Sequence, residues 1–283
     1  MSASQIFRAA NSAVITGGAS GIGLALTKKC AEAGMKVLAV DWSDEYLAAL
    51  SESIASDQVS TVKADVSKPE DWDTIKQTVE SKLGGIGKIN LLALNAGMGT
   101  PSSWAEPEAF RKTMDVNFFG VVNGLVALLP AVKKSGSDGG KAAVVITGSK
   151  QGITNPPGNP AYNASKAAVK SLAEGLDFDL RGEAGVSVHL LVPGWTHTSM
   201  TSKAGAEKAP GAWHPEQVVD FLVGKMDQGS FYVICPDNDV DEATDKKRML
   251  WAAGDVVEGR PPLTRWRDEW KDRANDWMSK QNL

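Results

Sequence analysis

The chain has 283 residues, of which 42% are hydrophobic and 23% are charged, the values of a globular protein with ample length for a core. A net charge of −4 without a strongly basic stretch argues against nucleic acid as a partner, and no N-terminal leader or apolar run of roughly 18 to 20 residues indicates a membrane. Two cysteines and three scattered histidines predict a reduced, cytoplasmic protein with no disulfide framework and no metal site.

Short apolar segments alternate with longer segments of helical periodicity along most of the chain. The predicted strands are residues 13–15, 36–40, 59–63, 89–94, 142–146, 186–192 and 231–234. The predicted helices are residues 21–33, 44–55, 69–83, 106–129, 161–180 and 215–226. Strands that are apolar throughout and separated by helices indicate a parallel sheet covered on both faces. We therefore predict an α/β protein with a doubly wound, mostly parallel seven-stranded sheet in a single domain, residues 1–236.

The chain after position 236 differs in composition from the domain before it. It holds four of the nine tryptophans, Trp251, Trp266, Trp270 and Trp277. We predict that residues 237–283 form a helical extension that packs on the domain or on a neighbouring subunit. No internal repeat and no other break in composition marks a further domain.

The first predicted strand runs directly into a glycine-rich segment from Thr16 to Gly23 that opens the first predicted helix. Its glycines allow a tight turn and close approach of the backbone to a pyrophosphate, and the helix start offers free N–H groups and the positive end of a dipole. The strand–turn–helix context favours dinucleotide binding over the alternative of a purely structural turn. The residues predicted to hold the cofactor here are Thr16, Gly17, Ser20, Gly21, Ile22 and Gly23.

Asp41 ends the second predicted strand, about 20 residues after the glycines, where an acidic residue hydrogen-bonds the ribose hydroxyls of a dinucleotide. A carboxylate at this position repels a 2′-phosphate, and neither Trp42 nor Ser43 offers a positive charge to hold one. We therefore predict NAD rather than NADP as the cofactor, with Asp41 and Trp42 among the residues that bind it. The alternative for Asp41 is a helix cap, for which Asp44 is the better candidate.

Tyr162 and Lys166 are four residues apart, so a helix would place the phenol and the ammonium on one face. A nearby ammonium favours the phenolate and lowers the pKa of a tyrosine towards the range that acid–base catalysis uses. Ser149 precedes the tyrosine by thirteen residues and could hydrogen-bond a substrate oxygen from a neighbouring strand. Taken alone, such a pair is more often two surface side chains one turn apart, so the other motifs must decide.

Together these motifs resemble the short-chain dehydrogenase/reductase family, over about residues 12–236. The turn from Thr16 to Gly23 is similar to the family's Thr-Gly-x-x-x-Gly-x-Gly turn. Four residues fill the places of its catalytic tetrad: Asn117, Ser149, Tyr162 and Lys166. The further positions that resemble its cofactor contacts are Asp65, Val66, Asn95, Ala96, Gly97, Pro193, Gly194, Thr196 and Thr198, together with Tyr162 and Lys166.

The resemblance implies a Rossmann fold and hydride transfer between NAD(H) and a secondary alcohol or ketone. In the roles that it implies, Tyr162 is the general acid or base, and Lys166 lowers the pKa of Tyr162 and binds ribose hydroxyls. Ser149 would hold the substrate oxygen, and Asn117 would hold a water that links Lys166 to solvent. The resemblance also implies a homodimer or homotetramer in which the two long helices pair between subunits.

The substrate is expected over the nicotinamide, at the carboxyl ends of the strands. The predicted substrate contacts are Met98, Ser149, Gln151, Tyr162, Trp195 and Trp213. Met98 and the two tryptophans favour a substrate with an apolar or aromatic substituent, although each tryptophan could instead be a core or subunit contact. The segment 196–213 is rich in small and polar residues and is expected to be a mobile lid.

Two positions depart from the family pattern. Leu94 stands where the family often has the first asparagine of Asn-Asn-Ala-Gly, and Trp195-Thr196-His197 follows the Pro-Gly turn where smaller apolar residues are usual. Two alternative functions stay open: a nucleotide sensor that keeps the fold without the chemistry, and an epimerase or dehydratase of the related extended scaffold. The complete tetrad argues against the first, and the spacing of the glycine turn argues against the second.

Overall fold

The protein is described here by a computed structural model that covers residues 2–54, 57–85, 88–137, 139–202 and 206–283. The strands are β1 Ser12–Thr16, β2 Lys36–Asp41, β3 Val59–Lys63, β4 Leu91–Leu94, β5 Ala142–Thr147, β6 Val186–Val192 and β7 Tyr232–Ile234. They form one seven-stranded sheet in the order β3-β2-β1-β4-β5-β6-β7, and every neighbouring pair is parallel. The predicted doubly wound sheet is therefore confirmed.

Helices connect the strands and cover both faces of the sheet. They are α1 Ala3–Ile6, α2 Gly21–Glu32, α3 Asp44–Ser53, α4 Asp71–Lys82, α5 Pro107–Met114, α6 Gly120–Gly136, α7 Gln151–Thr154, α8 Pro160–Leu180, α9 Pro215–Asp227, α10 Glu242–Val257 and α11 Asp268–Ser279. The sequence did not reveal α1 or α7, because four residues are too few to show a helical period. Position 55, the predicted end of the second helix, lies outside the described residues.

The side chains of β1 show how the sheet builds two cores. Val14 packs on one face with α6 residues such as Leu128, whereas Ala13 and Ile15 pack on the other face with α9 residues such as Leu222. All five side chains are buried, as expected where successive side chains of a strand point to opposite faces of a covered sheet. The strand order reverses between β1 and β4, so a crevice opens at the carboxyl ends of these two strands.

One helical stretch, Pro107–Gly136, is 30 residues long and reaches a mean hydropathy of 1.6, so by length and composition alone it could cross a membrane. The stretch is not an uninterrupted apolar run, because polar residues such as Asn117 and Asn123 lie within it. Val121 and Leu128 pack in the sheet core, so this helix covers the sheet. A helix that is apolar on its buried face and partly apolar on its outer face gives the same hydropathy.

The C-terminal extension folds around Trp251, whose indole nitrogen donates a hydrogen bond to Thr264 Oγ1 at 2.8 Å. The Arg260 guanidinium lies 4.0 Å from the centroid of the Trp251 ring and pairs with the Asp255 carboxylate at 3.0 Å. The ring of Trp277 lies 5.5 Å from that of Trp251 and so joins α11 to α10. Two of the four tryptophans that marked this region in the sequence therefore form its small core.

Candidate active site

The glycine turn after β1 has the backbone conformation that its sequence predicted. Gly17 and Gly21 have φ angles of +61° and +51°, values that favour glycine. A Cβ on Gly23 would lie 1.9 Å from the carbonyl oxygen of Gly17, so a side chain there would collide with the turn. This turn therefore brings bare backbone to the start of α2, where anions bind in proteins of this architecture.

Thr16 and Asn95 fasten the ends of neighbouring strands together. The Thr16 hydroxyl accepts hydrogen bonds from the backbone N–H groups of Asn95 at 2.9 Å and Ala96 at 3.0 Å. The Asn95 side chain donates to the Thr16 carbonyl at 3.2 Å and accepts from the Thr147 hydroxyl at 3.1 Å. Both side chains are thus used within the protein, and they hold the carboxyl ends of β1, β4 and β5 in register.

Asp41 is buried at the end of β2, where its carboxylate accepts hydrogen bonds from Ala19 N–H at 3.3 Å and Ser43 N–H at 3.2 Å. The carboxylate thereby ties the glycine turn to β2. Its neighbour Trp42 is 73% exposed and lines the crevice together with Tyr46. The sequence analysis did not single out Tyr46, although its spacing of four residues from Trp42 was the available signal.

Asp65 closes a turn after β3 and does not line the crevice. Its carboxylate accepts hydrogen bonds from the backbone N–H of Ser67 at 3.0 Å and from the Ser67 hydroxyl at 2.7 Å. Val66 is buried, and its side chain lies 2.8 Å from where a Cβ on Gly120 would be. In this structure both residues thus shape the turn between β3 and α4, next to the helix that carries Asn117.

Tyr162 and Lys166 lie near the start of α8, and Ser149 follows β5 on the opposite wall. Ser149 and Tyr162 line the same cavity, and the Ser149 side chain acts to lower the pKa of Tyr162. The Lys166 ammonium lies 5.8 Å from the centroid of the Tyr162 ring and donates to the backbone carbonyl of Thr147 at 2.8 Å. The predicted trio is therefore assembled in one place, with the lysine beside the ring.

Burial controls the titration of this pair in the cofactor-free protein. It raises the pKa of Tyr162, and the hydrogen bond from Ser149 opposes this effect. Burial also lowers the pKa of Lys166 from 10.5 to about 8. The expectation that the ammonium lowers the pKa of Tyr162 is therefore not met here, because desolvation of the phenolate is the larger effect.

Asn117 lies in a π-helical segment, Asp115–Phe119, that joins α5 to α6. Such insertions are frequent at functional sites. The Asn117 amide nitrogen donates to the Met98 carbonyl at 3.0 Å and to the Ser165 hydroxyl at 2.9 Å, and its oxygen accepts from the Met98 N–H at 2.8 Å. The predicted role of holding a water is not visible in these contacts: the buried side chain clamps the segment after β4 against α8.

A cavity of about 710 Å³ occupies the crevice and runs from the glycine turn to Tyr162. The predicted residues that line it are Gly17, Ser20, Gly21, Ile22, Trp42, Asn95, Ala96, Gly97, Met98, Ser149, Gln151, Tyr162, Lys166, Pro193, Gly194, Trp195, Thr196 and Thr198. The lining also includes residues that the sequence analysis did not single out as contacts, among them Tyr46, Gly99, Thr100, Pro101, Lys150 and Met200.

Several predicted contacts are not among the residues that line the cavity. These are Thr16, Gly23, Asp41, Asp65, Val66, Asn117 and Trp213. Trp213 packs edge-on against Phe221 of α9, with ring centroids 5.9 Å apart, so it is a core contact and not a substrate wall. Positions 203–205 of the predicted lid lie outside the described residues. Among the residues that the structure describes, no group of three His, Cys, Asp or Glu side chains is arranged to hold a metal.

The family described as short chain dehydrogenase matches residues 11–209 of the chain. The 3beta-hydroxysteroid dehydrogenase 2 of Eggerthella lenta is 32% identical over 197 residues, which cover 68% of this chain and 73% of its own. The NADPH-dependent 1-acyldihydroxyacetone phosphate reductase of Saccharomyces cerevisiae is 34% identical over 171 residues, covering 60% of this chain and 56% of its own. A short chain dehydrogenase/reductase of Burkholderia phymatum in complex with NAD has a TM-score of 0.77 at 27% identity and covers 90% of this chain and 97% of its own.

The parallel sheet, the glycine turn at its switch point and the deep crevice define a dinucleotide-binding protein. The chain belongs to the short-chain dehydrogenase/reductase family, whose members similar to it are oxidoreductases that act on CH–OH groups. The resemblance seen in the sequence is confirmed.

Proposed function

We propose that this protein transfers a hydride between NAD(H) and a secondary alcohol or ketone with an apolar or aromatic substituent. The observation that carries the proposal is that Tyr162, Ser149 and Lys166 line the same cavity as the glycine turn. An acid–base group and a dinucleotide cradle in one crevice are the parts that such a reaction requires.

The residues at the β1 end of the cavity suit a dinucleotide. Gly17 and Gly21 line this end of the cavity and have positive φ angles that favour glycine, and the first residues of α2, Gly21 and Ile22, line it too. Asp41 would accept hydrogen bonds from ribose hydroxyls, with Trp42 and Tyr46 as neighbouring walls. When bound, the nicotinamide group supplies the hydride acceptor or donor.

Asp41 supports NAD over NADP, since a carboxylate at the end of β2 repels a 2′-phosphate. Among the described lining residues, the charged side chains are Lys150 and Lys166, and both belong to the Ser149 end of the cavity. The yeast relative is named for its use of NADPH, so family membership does not fix the cofactor. The proposed preference for NAD over NADP therefore rests on the local charge alone.

Tyr162 is proposed to give a proton to the substrate oxygen in reduction and to take one in oxidation, while Ser149 holds that oxygen. The raised pKa of Tyr162 keeps the phenol protonated at neutral pH, which is the state that ketone reduction needs. Lys166 is proposed to bind ribose hydroxyls and to stabilise the phenolate in the oxidation direction. Asn117 and Ser165 keep the helix of the pair in place.

The substrate end of the cavity is lined by Met98, Pro101, Trp195 and Met200, and Gln151 adds one amide. Thioether and indole walls favour a neutral substrate with a bulky apolar part. The name of the Eggerthella lenta relative, a hydroxysteroid dehydrogenase, supports this class. We therefore place secondary alcohols and ketones on rings or long apolar chains first among the candidate substrates.

The test is a screen of secondary alcohols with NAD and of ketones with NADH, each repeated with the phosphorylated cofactor, with absorbance at 340 nm as the readout. Stoichiometric formation or loss of NADH with an apolar substrate supports the proposal. Binding of NADH without turnover of any compound would instead indicate a nucleotide sensor. Conversion of a substrate with no net NADH signal would indicate an epimerase or dehydratase.

We also propose that the protein forms a homodimer or homotetramer through α6 and α8. Their outer faces expose Phe119 at the end of the π segment, Val126 on α6 and Phe178 on α8, with exposed fractions of 47%, 77% and 63%. Large exposed apolar side chains on adjacent long helices are typical of a surface that another chain covers.

A further inference from the structure

Lys150 follows Ser149 directly and is the N-cap residue of the short helix α7, which contacts both α8 and the C-terminal extension. On one side, the backbone of Gly152 packs directly on the backbone of α8, since a Cβ on Gly152 would lie 2.5 Å from the carbonyl carbon of Lys166. On the other side, α7 contacts α10. Any shift of α10 against the domain therefore acts on the segment that carries Ser149.

The Lys150 ammonium joins three segments of the chain. It lies 2.5 Å from Asp245 Oδ2 on α10 and 3.5 Å from Asp237 Oδ2 at the start of the extension. Asp237 Oδ2 also accepts a hydrogen bond from the backbone N–H of Trp195 at 3.0 Å. One cation thus links the Ser149 segment, the loop after β6 and the extension.

This cluster is buried, so breaking it costs more than breaking a surface ion pair. The side chains of Lys150, Asp237 and Asp245 are 17%, 7% and 4% exposed. Burial raises the pKa of Asp245, and the nearby Lys150 ammonium opposes this effect. The other charges that face Asp245 are Arg248 on its own helix and Arg265 from the 3₁₀ helix Thr264–Trp266. Removing one partner of such a pair leaves an uncompensated buried charge.

The orientation of Ser149 depends directly on the first turn of α7. The Gln151 N–H donates to Ser149 Oγ at 3.2 Å, and the Gly152 N–H donates to the Ser149 carbonyl at 3.0 Å. A small rotation of α7 therefore moves the Ser149 hydroxyl relative to the Tyr162 phenol. Misplacement of a reacting group by about 1 Å can cost 10²-fold in rate.

We propose that Asp245 is a positioning residue, which through Lys150 holds the Ser149 hydroxyl against Tyr162 and makes the C-terminal extension part of the active-site scaffold. This inference rests on the function proposed above for Ser149 and Tyr162. It differs from a purely structural role of the ion pair because it links Asp245 to proton transfer at Tyr162.

The kinetic test compares D245N with D272N, a matched change at an exposed residue of α11 in the same extension. We expect D245N to lower kcat about tenfold with little change in the KM for NADH. We also expect the pKa of Tyr162 in the pH profile of oxidation to rise, because the hydrogen bond from Ser149 that lowers it is weakened. D272N should have the kcat and the pH profile of the wild type. An unchanged kcat and pH profile in folded D245N would overturn the proposal.

A second test does not depend on turnover. Hydrogen–deuterium exchange of the full-length protein should show about tenfold faster exchange in D245N for peptides covering 148–154 and 193–196, with α2 unchanged as an internal reference. Equal exchange in these peptides would overturn the positioning role. If the wild type turns over no compound, the proposed function fails, but this comparison still decides whether Asp245 holds the Ser149 segment. Should D245N not fold, K150R, which keeps the cation with a different geometry, takes its place in both tests with the same expected results.

Discussion

The Lys166 ammonium donates a hydrogen bond to the backbone carbonyl of Thr147 at 2.8 Å and not to the phenol of Tyr162, which lies one helical turn away on α8. The lysine therefore spans from the helix to the end of β5. Because the side chain is buried, its pKa falls from 10.5 to about 8. The protein thus keeps a desolvated cation in the wall of its cavity, which should lower its stability.

We expect K166M to stabilise the cofactor-free protein at pH 7. A pKa that falls from 10.5 to about 8 corresponds to a penalty of roughly 3 kcal/mol for keeping Lys166 charged. Loss of the hydrogen bond to Thr147 offsets about 1 kcal/mol, so the free energy of unfolding should rise by about 2 kcal/mol. Denaturant unfolding at pH 7 measures this change. The variant should at the same time lose turnover.

The pH dependence of the same comparison has a defined sign. Between pH 8 and 10.5 the unfolded chain binds a proton at Lys166 that the folded protein does not, so wild-type stability gains from this residue as pH rises. The stability difference between K166M and the wild type should therefore shrink from pH 7 to pH 9.5. A difference that is independent of pH would show that burial does not lower the pKa of Lys166.

Tyr162 can be tested against another tyrosine of the same chain. Y162F should retain binding of NADH within about threefold, since the phenol is one of many cavity contacts, and should lose 10²- to 10⁴-fold in kcat because it removes the proton donor. Y232F is the matched control, because Tyr232 lies on β7 and hydrogen-bonds Glu174. Fluorescence titration with NADH and steady-state rates are the measurements. Wild-type rates in Y162F would contradict the assignment of Tyr162 as the acid–base group.

The predicted preference for NAD depends on the carboxylate of Asp41. D41S should lower kcat/KM with NAD and raise it with NADP, so that the ratio of the two falls at least about tenfold, because the repelling carboxylate is gone. Some loss of stability is also expected, since the hydrogen bonds from Ala19 and Ser43 are lost. D44N, at an exposed carboxylate paired with Lys63, is the control. An unchanged ratio in D41S, or an NADP preference in the wild type, would show that Asp41 does not set the preference.

The fold could be predicted because strand and helix periods are local properties of the sequence. β3 and β6 have the predicted bounds, whereas α6 extends past its predicted end at 129 to Gly136. At that end the backbones of Gly136 and Gly185 pack directly on each other, since a Cβ on Gly185 would lie 1.6 Å from the Gly136 carbonyl oxygen. Contacts of this kind join residues far apart in the chain, so no periodicity reveals them.

Site residues that belong to sequence motifs could be predicted, whereas residues whose positions depend on tertiary packing could not. Tyr162, Lys166 and Ser149 meet as expected because helix spacing and strand order fix their positions. Trp213 was placed in the substrate wall, but its ring turns to Phe221. Met200 lines the cavity instead, in a segment whose sequence showed only small and polar residues around it.

His189 provides a test of stability at acidic pH. Its ring nitrogens are engaged by the Ser230 carbonyl at 2.7 Å and the Ser187 hydroxyl at 2.9 Å, and burial lowers its pKa below 6.5. As pH falls through 6.5, the unfolded chain takes up a proton that the folded protein resists, so stability is lost. H189N should reduce this loss of stability at acidic pH, whereas H214N, at an exposed site, should leave it unchanged. The measurement is the free energy of unfolding between pH 5 and 7.5. An equal dependence on pH in H189N and the wild type would contradict the prediction.

Val126 tests the proposed interface between subunits. V126E places a charge on the outer face of α6, where a partner helix would have to desolvate it. We expect the variant to be monomeric by light scattering at a concentration where the wild type is an oligomer. V256E is the control, because Val256 is 85% exposed and lies on α10, outside the proposed interface. If V256E dissociates the assembly and V126E does not, the subunits meet through the C-terminal extension and not through the two long helices.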